Sequence, residues 1–423
     1  MHKDLTKGGV PKAVSNRALT TSTLAFTVCF AVWTIFSIIG VALKEQLGLS
    51  EIQFGLLVGT PVLAGSLVRV ILGVWTDRYG GRVVYTLTML AAAASTALLA
   101  FAQSYEQLLL AALGVGIAGG SFAVGVAYVS RFYPSGKQGT ALGIFGVGNV
   151  GSSVTKFLAP FVMLAWGWQS VALVWAGVLA LTAIIFWFTT PDDPAEARKN
   201  AKARSWAEEF GRLKDVRVWR FALYYFFVFG AFVALTLWLP RYLIGVYGFD
   251  IATAGMVAAL YSIPASIFRA YGGTLSDKVG ARTVLYWTFG ISAVATFILA
   301  IPAGQYLVQG IDGPVAFTFA LAPWAFIAIA FVLGFAMSLG KAAVFKHIPT
   351  YYPSNVGAVG GLVGMIGGLG GFILPLLFGV LNELTGMWTS CFMAMFVLVI
   401  ALFVWMHVSV RQIERGASIP QAA

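Results

Sequence analysis

The chain has 423 residues, of which 59% are hydrophobic and only 10% charged, with a mean hydropathy of +0.86. Soluble domains carry about 25% charged residues, so a soluble fold is excluded and the sequence reads as an integral membrane protein. The net charge of +11 invites nucleic acid as a partner, but where the basic residues fall argues against it.

Apolar stretches of about 20 residues, the length that crosses a bilayer, occur near 20–43, 52–75, 83–102, 106–131, 138–164, 169–189, 219–245, 251–275, 282–303, 317–345, 355–381 and 387–408. The first is too long, and lacks the small-residue cleavage site, for a removable signal peptide. Cys29 and Cys391 both fall inside spans, where no disulfide is expected and no zinc site can be built. The polar segment 190–218, "TPDDPAEARKNAKARSWAEEFGRLKDVRV", divides the spans six and six. It reads as a cytoplasmic linker with a short surface helix, giving an N-terminal bundle 1–189 and a C-terminal bundle 219–423. With the N-terminus inside, cytoplasmic segments hold 21 of the 27 Lys and Arg residues, and the opposite side holds only Lys44 and Arg241. That asymmetry orients the chain with both termini cytoplasmic and brings basic residues to anionic lipid heads.

The remaining four cations, Arg69, Lys156, Arg269 and Lys341, lie within spans, whereas Asp77, Glu106, Asp277 and Glu383 sit near span ends. The two halves repeat. "GSLVRVILGVWTDRYGGR" (65–82) aligns with "ASIFRAYGGTLSDKVGAR" (265–282), so Arg69 meets Arg269, Asp77 meets Asp277 and Arg82 meets Arg282. "RFYPSGKQGTALGIFGVGNVG" (131–151) echoes "TYYPSNVGAVGGLVGMIGGLG" (350–370). Repeated six-helix halves are the signature of secondary transporters, with the substrate between them. The expected fold is an all-α membrane protein of twelve helices in two pseudo-symmetric bundles.

"GVWTDRYGGR" and "GTLSDKVGAR" resemble the loop between the second and third helices of the major facilitator superfamily, together with its second-half counterpart. That resemblance implies gating roles for Asp77, Arg78, Arg82, Asp277 and Arg282 rather than contact with substrate. In the fifth span, Gly143, Gly146, Gly148 and Gly151 recur at helical spacing, and the eleventh repeats them with Gly361, Gly364, Gly367 and Gly368. Glycine is a poor helix former, so such stripes mark close helix packing and sliding during alternating access. With "GKAAVFKHIPTYYP" (340–353) and the paired arginines, they resemble the nitrate/nitrite porter family over nearly the whole chain. The likeness is closer to its proton-linked nitrate symporter branch than to its nitrate/nitrite exchanger branch.

A charge at the bilayer centre costs at least ~2.5–3.5 kcal/mol, and Arg69 lies about 12 Å along a helix from Asp77 at 1.5 Å per residue. Two such arginines in symmetric positions make sense facing a wet cavity that holds an anion. The planar guanidinium fork suits a small oxyanion. The family resemblance implies that Arg69 and Arg269 clamp the substrate, nitrate or nitrite, and points also to Asn149, Tyr225 and Phe229, and less directly to Phe122 and Phe30 as apolar walls. Lys156 and Lys341 are candidates for proton coupling, because an anion bound nearby favours the protonated amine. No metal cluster, nucleotide loop or nucleophile–base pair is present, so no enzyme, metal or cofactor is expected. The "GVGNVG" glycines lie in an apolar helix with no strand before them. The expected protein is a monomeric porter of the bacterial inner membrane. Its rivals are a nitrate/nitrite antiporter, a porter for another small anion such as formate or oxalate, and a membrane anion sensor.

Overall fold

The computed structural model describes residues 10–194, 211, 215–353 and 356–417. The surface helix expected in the linker falls mainly on 195–210 and 212–214 and lies outside the described residues. Helix α1 covers Lys12–Trp33, breaks at Thr34 and Ile35, and resumes over Phe36–Leu47. Then come α2 (Glu51–Tyr79), α3 (Gly81–Leu99), α4 (Tyr105–Ser130), α5 (Gln138–Trp166) and α6 (Trp168–Thr189). After the linker follow α7 (Val216–Tyr247), α8 (Ile251–Val279), α9 (Ala281–Ala300), α10 (Pro323–Tyr351), α11 (Val356–Thr385) and α12 (Ser390–Ala417). Eleven of these meet the length and apolarity needed to cross a membrane, and the 29-residue α8 completes the twelve.

Local chemistry sets the ends. Ser50 and Gln53 form a reciprocal capping box at the start of α2. Single glycines, Gly80 at φ +91° and Gly280 at φ +90°, separate α2 from α3 and α8 from α9. A side chain would be strained at either position. Both α2 and α8 run one turn further than the apolar pattern predicts, so Asp77 and Asp277 sit in their last turns. Within α5, a 3₁₀ turn occupies Val147–Val150. Within α7, a π turn occupies Phe226–Ala231.

The all-α expectation needs one amendment. Strands β1 (Gly304–Gly310) and β2 (Gly313–Phe319) form an antiparallel hairpin between α9 and α10. The tenth span therefore begins at Pro323, not at 317. Residues 304–310 and 313–319, with Tyr306, Val308, Val315, Phe317, Thr318 and Phe319 favouring strands, flank a tight "GIDG" turn, a hairpin signal that a hydropathy window averages into the following helix.

The helix neighbours repeat between the halves. Helix α2 packs on α4, α3 on α4 and α3 on α6, while α8 packs on α10, α9 on α10 and α9 on α12. The halves meet where α11 lies on α2 and α5 lies on α8.

Candidate functional site

The inter-half contacts are crosswise and built on glycine. A Cβ on Gly143 would meet Arg269 O at 2.7 Å and Gly273 Cα at 3.1 Å, both on α8. On α11, a Cβ on Gly361 would meet Arg69 O at 2.8 Å and Val70 Cα at 3.1 Å, both on α2. Each half's stripe thus bears on the other half's arginine helix at backbone distance. The stripes divide by partner. Gly143 and Gly146 face α8, and Gly361, Gly364 and Gly368 face α2, whereas Gly148 and Gly151 rest on α1 and Gly367 on Tyr225.

Arg69 and Arg269 enter one aromatic chamber from opposite halves, 0% and 1% exposed. Arg69 Nε donates to Gly119 O at 3.1 Å, and its Nη1 crosses to Gly364 O on α11 at 2.6 Å. Its Cζ lies 5.5 Å from the centroids of Trp33 and Phe122 and 5.1 Å from that of Phe229. Arg269 Cζ lies 5.0 Å from Phe122 and 5.9 Å from Phe345. One ring, Phe122, therefore touches both guanidinium groups, in contacts that favour cations. Across the π turn, Tyr225 and Phe229 stack with centroids 4.9 Å apart and planes 1° from parallel. Such turns recur at functional sites. Phe30 stands one ring back, edge-on to Phe26 and Trp33.

Polar atoms are left over in this chamber. Arg69 Nη2, Arg269 Nε and Nη1, the Tyr225 hydroxyl and both polar atoms of the Asn149 side chain are buried without a hydrogen-bond partner. Buried polar groups are nearly always paired, and all of these but Asn149 Oδ1 can donate. Asn149 sits in the 3₁₀ turn, three residues beyond Gly146, whose added Cβ would meet Arg269 Cζ at 2.6 Å. Among the described residues, the one carboxylate in the buried set is Asp193, and it lies at the start of the linker. The arrangement lacks an acceptor with negative charge, and a small oxyanion supplies both. A small cavity lined by Trp33, Thr34, Ser37, Val62, Phe232 and Thr236 lies beside the chamber and shares with it Trp33, the ring that Arg69 Cζ approaches to 5.5 Å.

The two lysines are placed differently. Lys341 Nζ donates to Ala265 O on α8 at 2.7 Å, lies 3.5 Å from the Phe232 ring centroid, and is in electrostatic reach of Arg269. Lys156 Nζ donates across the halves to Thr236 O at 3.1 Å.

The linker side is latched. Asp277, on α8, accepts from Thr140 N at 2.7 Å and Thr140 Oγ1 at 2.8 Å, so a carboxylate of one half caps helix α5 of the other. It also pairs with Lys346 of α10. Asp77 is its counterpart, since a Cβ on Gly357 would meet Asp77 Cγ at 2.6 Å. Asp77 pairs with Arg131 at 2.7 Å, and Arg131 also pairs with Asp193. Arg82 serves its own half, pairing with Asp192 at 3.1 Å and donating to Trp187 O at 2.9 Å. Arg78 and Arg282 are half-buried at the end of α2 and the start of α9. On α7, the Asp215 carboxyl caps the helix and accepts from Tyr352. Burial alone would raise its pKa, but the Tyr352 and Arg217 hydrogen bonds outweigh burial and hold it below the usual carboxylate range. Their stabilisation is present at neutral pH and fades as pH falls through the lowered value.

Losing Asp277's charge should loosen this side. Asp277→Asn weakens charge-assisted bonds worth roughly 1.5–3 kcal/mol each and favours separation of the halves there. Spin labels on Lys137→Cys and Lys278→Cys should report longer distances than in the parent, and an unchanged distribution would remove the latch role.

Sequence reasoning missed Trp33, Phe345, Arg131, Thr140 and Lys346. Phe345 stands one helical turn beyond Lys341, a spacing visible in the sequence. Thr140 and Lys346 become partners only through contact with Asp277.

Two like six-helix halves closed around a cationic chamber define a secondary transporter of the alternating-access kind. A sequence model of the Major Facilitator Superfamily matches residues 21–321. The chain is 43% identical over 409 residues to the probable nitrate/nitrite antiporter NarK1 of Thermus thermophilus, spanning 93% of this chain and 91% of that one. Against the probable nitrate transporter NarT of Staphylococcus epidermidis it is 30% identical over 398 residues, spanning 93% and 96%. The solved human organic anion transporter MFSD10 superposes with a TM-score of 0.72 at 16% identity, over 93% of this chain and 99% of that one, a likeness of fold. The chain belongs to the nitrate/nitrite porter family of the major facilitator superfamily.

Proposed function

We propose that this protein moves nitrate, and nitrite as a close analogue, across the bacterial inner membrane by alternating access, with a proton moving alongside the anion. It acts as a monomer in lipid, with both termini cytoplasmic and without enzymatic activity or cofactor. The observation that carries this reading is the set of unpartnered donors from both halves, Arg69, Arg269, Asn149 and Tyr225, inside walls of Phe122, Phe229 and Phe345. Nitrate is planar, singly charged and weakly hydrated, so two guanidinium forks can take its oxygens while the rings exclude water. Empty, the arginines repel each other across the interface. Bound, the anion offsets that repulsion and favours the occluded state by its own differential affinity. With the linker side cytoplasmic, the latch closes the chamber toward the cytoplasm.

Nitrate/nitrite exchange is the second reading, supported by the antiporter named as a relative at 43% identity. Proteoliposomes separate the two. Concentrative uptake of labelled nitrate into empty vesicles under an acid-outside gradient, abolished by a protonophore, supports proton symport. Uptake only into vesicles preloaded with nitrate or nitrite supports exchange. No movement in either condition by folded protein refutes nitrate transport itself.

The glycine stripe gives a milder test. In Gly146→Ala the new methyl displaces the Arg269 guanidinium. The apparent affinity for nitrate is expected to fall about tenfold, equivalent to ~1.4 kcal/mol, with the thermal midpoint little changed. An unaltered affinity would show that Arg269 does not position the anion.

A further inference from the structure

The β1–β2 hairpin takes no part in the chamber or the latch. Its register pairs Tyr306 with Phe317 and Val308 with Val315, setting these four side chains on one face. On the other face Gln305 pairs with Thr318, Leu307 with Ala316 and Gln309 with Pro314, so the two glutamines and Thr318 are confined to that side, together with an exposed Leu307. The Tyr306 and Phe317 rings stack at 5.5 Å. Yet Val308, Val315 and Phe317 are 51%, 56% and 50% exposed, and Ile311 at the tip is fully exposed. From Gly304 to Phe319 the one charged residue is Asp312. A lone two-stranded hairpin is marginal in water, and this one turns an apolar face outward.

Its position indicates what covers that face. Three residues, 301–303, join it to α9, and three, 320–322, join it to α10. Tyr306 Oη donates to Pro302 O at 2.6 Å. Tyr247, the last residue of α7, donates to Leu321 O at 3.1 Å. The root is therefore pinned at the level where the membrane-spanning helices end, beside an exposed Trp324, and tryptophan favours the bilayer interface. Exposed apolar side chains flank the hairpin on both neighbouring helices, Phe297 on α9 and Trp324 on α10.

We propose that the hairpin lies on the bilayer, on the side opposite the linker, with Tyr306, Val308, Val315, Phe317 and Ile311 in the headgroup region. The partner is a lipid surface, held by apolar insertion as interfacial amphipathic segments are, and the hairpin's lack of basic residues removes any requirement for anionic lipid. A second copy of the chain fits less well. Seven-residue strands make a face roughly 23 Å long and 10 Å wide, far below the ~800 Å² per partner of a stable interface. Seated this way, the hairpin fixes the depth of α9 and α10 while the halves rock.

Cys29 and Cys391 are both fully buried, so introduced surface cysteines can be spin-labelled in the full-length protein. Labels at Val308→Cys and Phe317→Cys are compared with Gln305→Cys and Gln309→Cys in proteoliposomes of neutral lipid. The expected result is access to oxygen over an aqueous nickel chelate at 308 and 317, with the reverse at 305 and 309. Equal nickel access on both faces overturns the proposal. So does spin–spin broadening at 308 that disappears when protein is diluted in lipid, which would assign the face to a second copy.

Discussion

Arg269→Ala is expected to eliminate measurable nitrate binding and, with it, saturable uptake. Arg269 Nε and Nη1 are both unpartnered in the chamber. Two charge-assisted hydrogen bonds to an anion, at ~1.5–3 kcal/mol each, amount to roughly 10²–10⁴ in affinity. Arg269→Lys recovers only part of this, because an ammonium cannot present a planar fork. Thermal melting separates loss of the site from loss of the fold. Nitrate should raise the midpoint of the parent protein and leave that of the variant unmoved. Without nitrate the variant should melt no lower than the parent, since the substitution removes a buried charge with unpaired donors. Arg69→Ala is the less clean partner experiment, because Arg69 also donates to Gly119 and Gly364. If Arg269→Ala binds nitrate as the parent does, the anion is held elsewhere.

Lys341→Met should separate exchange from accumulation. The chamber and its rim hold three cations on this reading, Arg69, Arg269 and Lys341, in apolar surroundings. A bound anion offsets one of them. The empty carrier must return with that charge uncompensated unless one group sheds a proton, and arginine keeps its proton under all working conditions. Lys341, bonded to Ala265 one turn before Arg269, is the group placed to do so. Methionine preserves the length of the side chain without a charge. Counterflow between nitrate-loaded and nitrate-containing compartments is expected to survive in this variant. Gradient-driven uptake into empty vesicles is expected to disappear, and the pH dependence of exchange to flatten. Lys156→Met, whose amine bridges to Thr236 O, should retain gradient-driven uptake. The opposite pattern would transfer the coupling role to Lys156.

Much of this was legible from spacing. The repeat at 65–82 and 265–282 is a linear pattern, and it carried Arg69, Arg269, Asp77 and Asp277 to matching helices. Hydropathy found every span because a bilayer permits few alternatives to an apolar helix. The glycine stripes told of close packing, but not of its target. That Gly143 bears on α8 while Gly151 bears on α1 depends on which side of the helix each residue presents to which neighbour. The aromatic walls were harder still. With 33 phenylalanines in the chain, the one-turn spacing from Lys341 does not by itself single out Phe345, and its role comes from its 4.6 Å approach to Tyr225 on another helix. The break in α1 and the π turn in α7 are set by tertiary fit. The hairpin was hidden for a plainer reason, since its apolar residues pass for part of a span when averaged.

The crosswise glycine contacts also constrain how such a sequence can change over generations. A side chain acquired at Gly273 collides with Gly139 and Gly143 of the other half, and one acquired at Gly73 collides with Gly357. The partner positions are already glycine and have nothing left to give up, so no compensating reduction exists. The two halves, alike enough to read as copies, are thus bound to a common history at these positions. A chimaera that takes one half from a distant relative inherits surfaces fitted to a different partner.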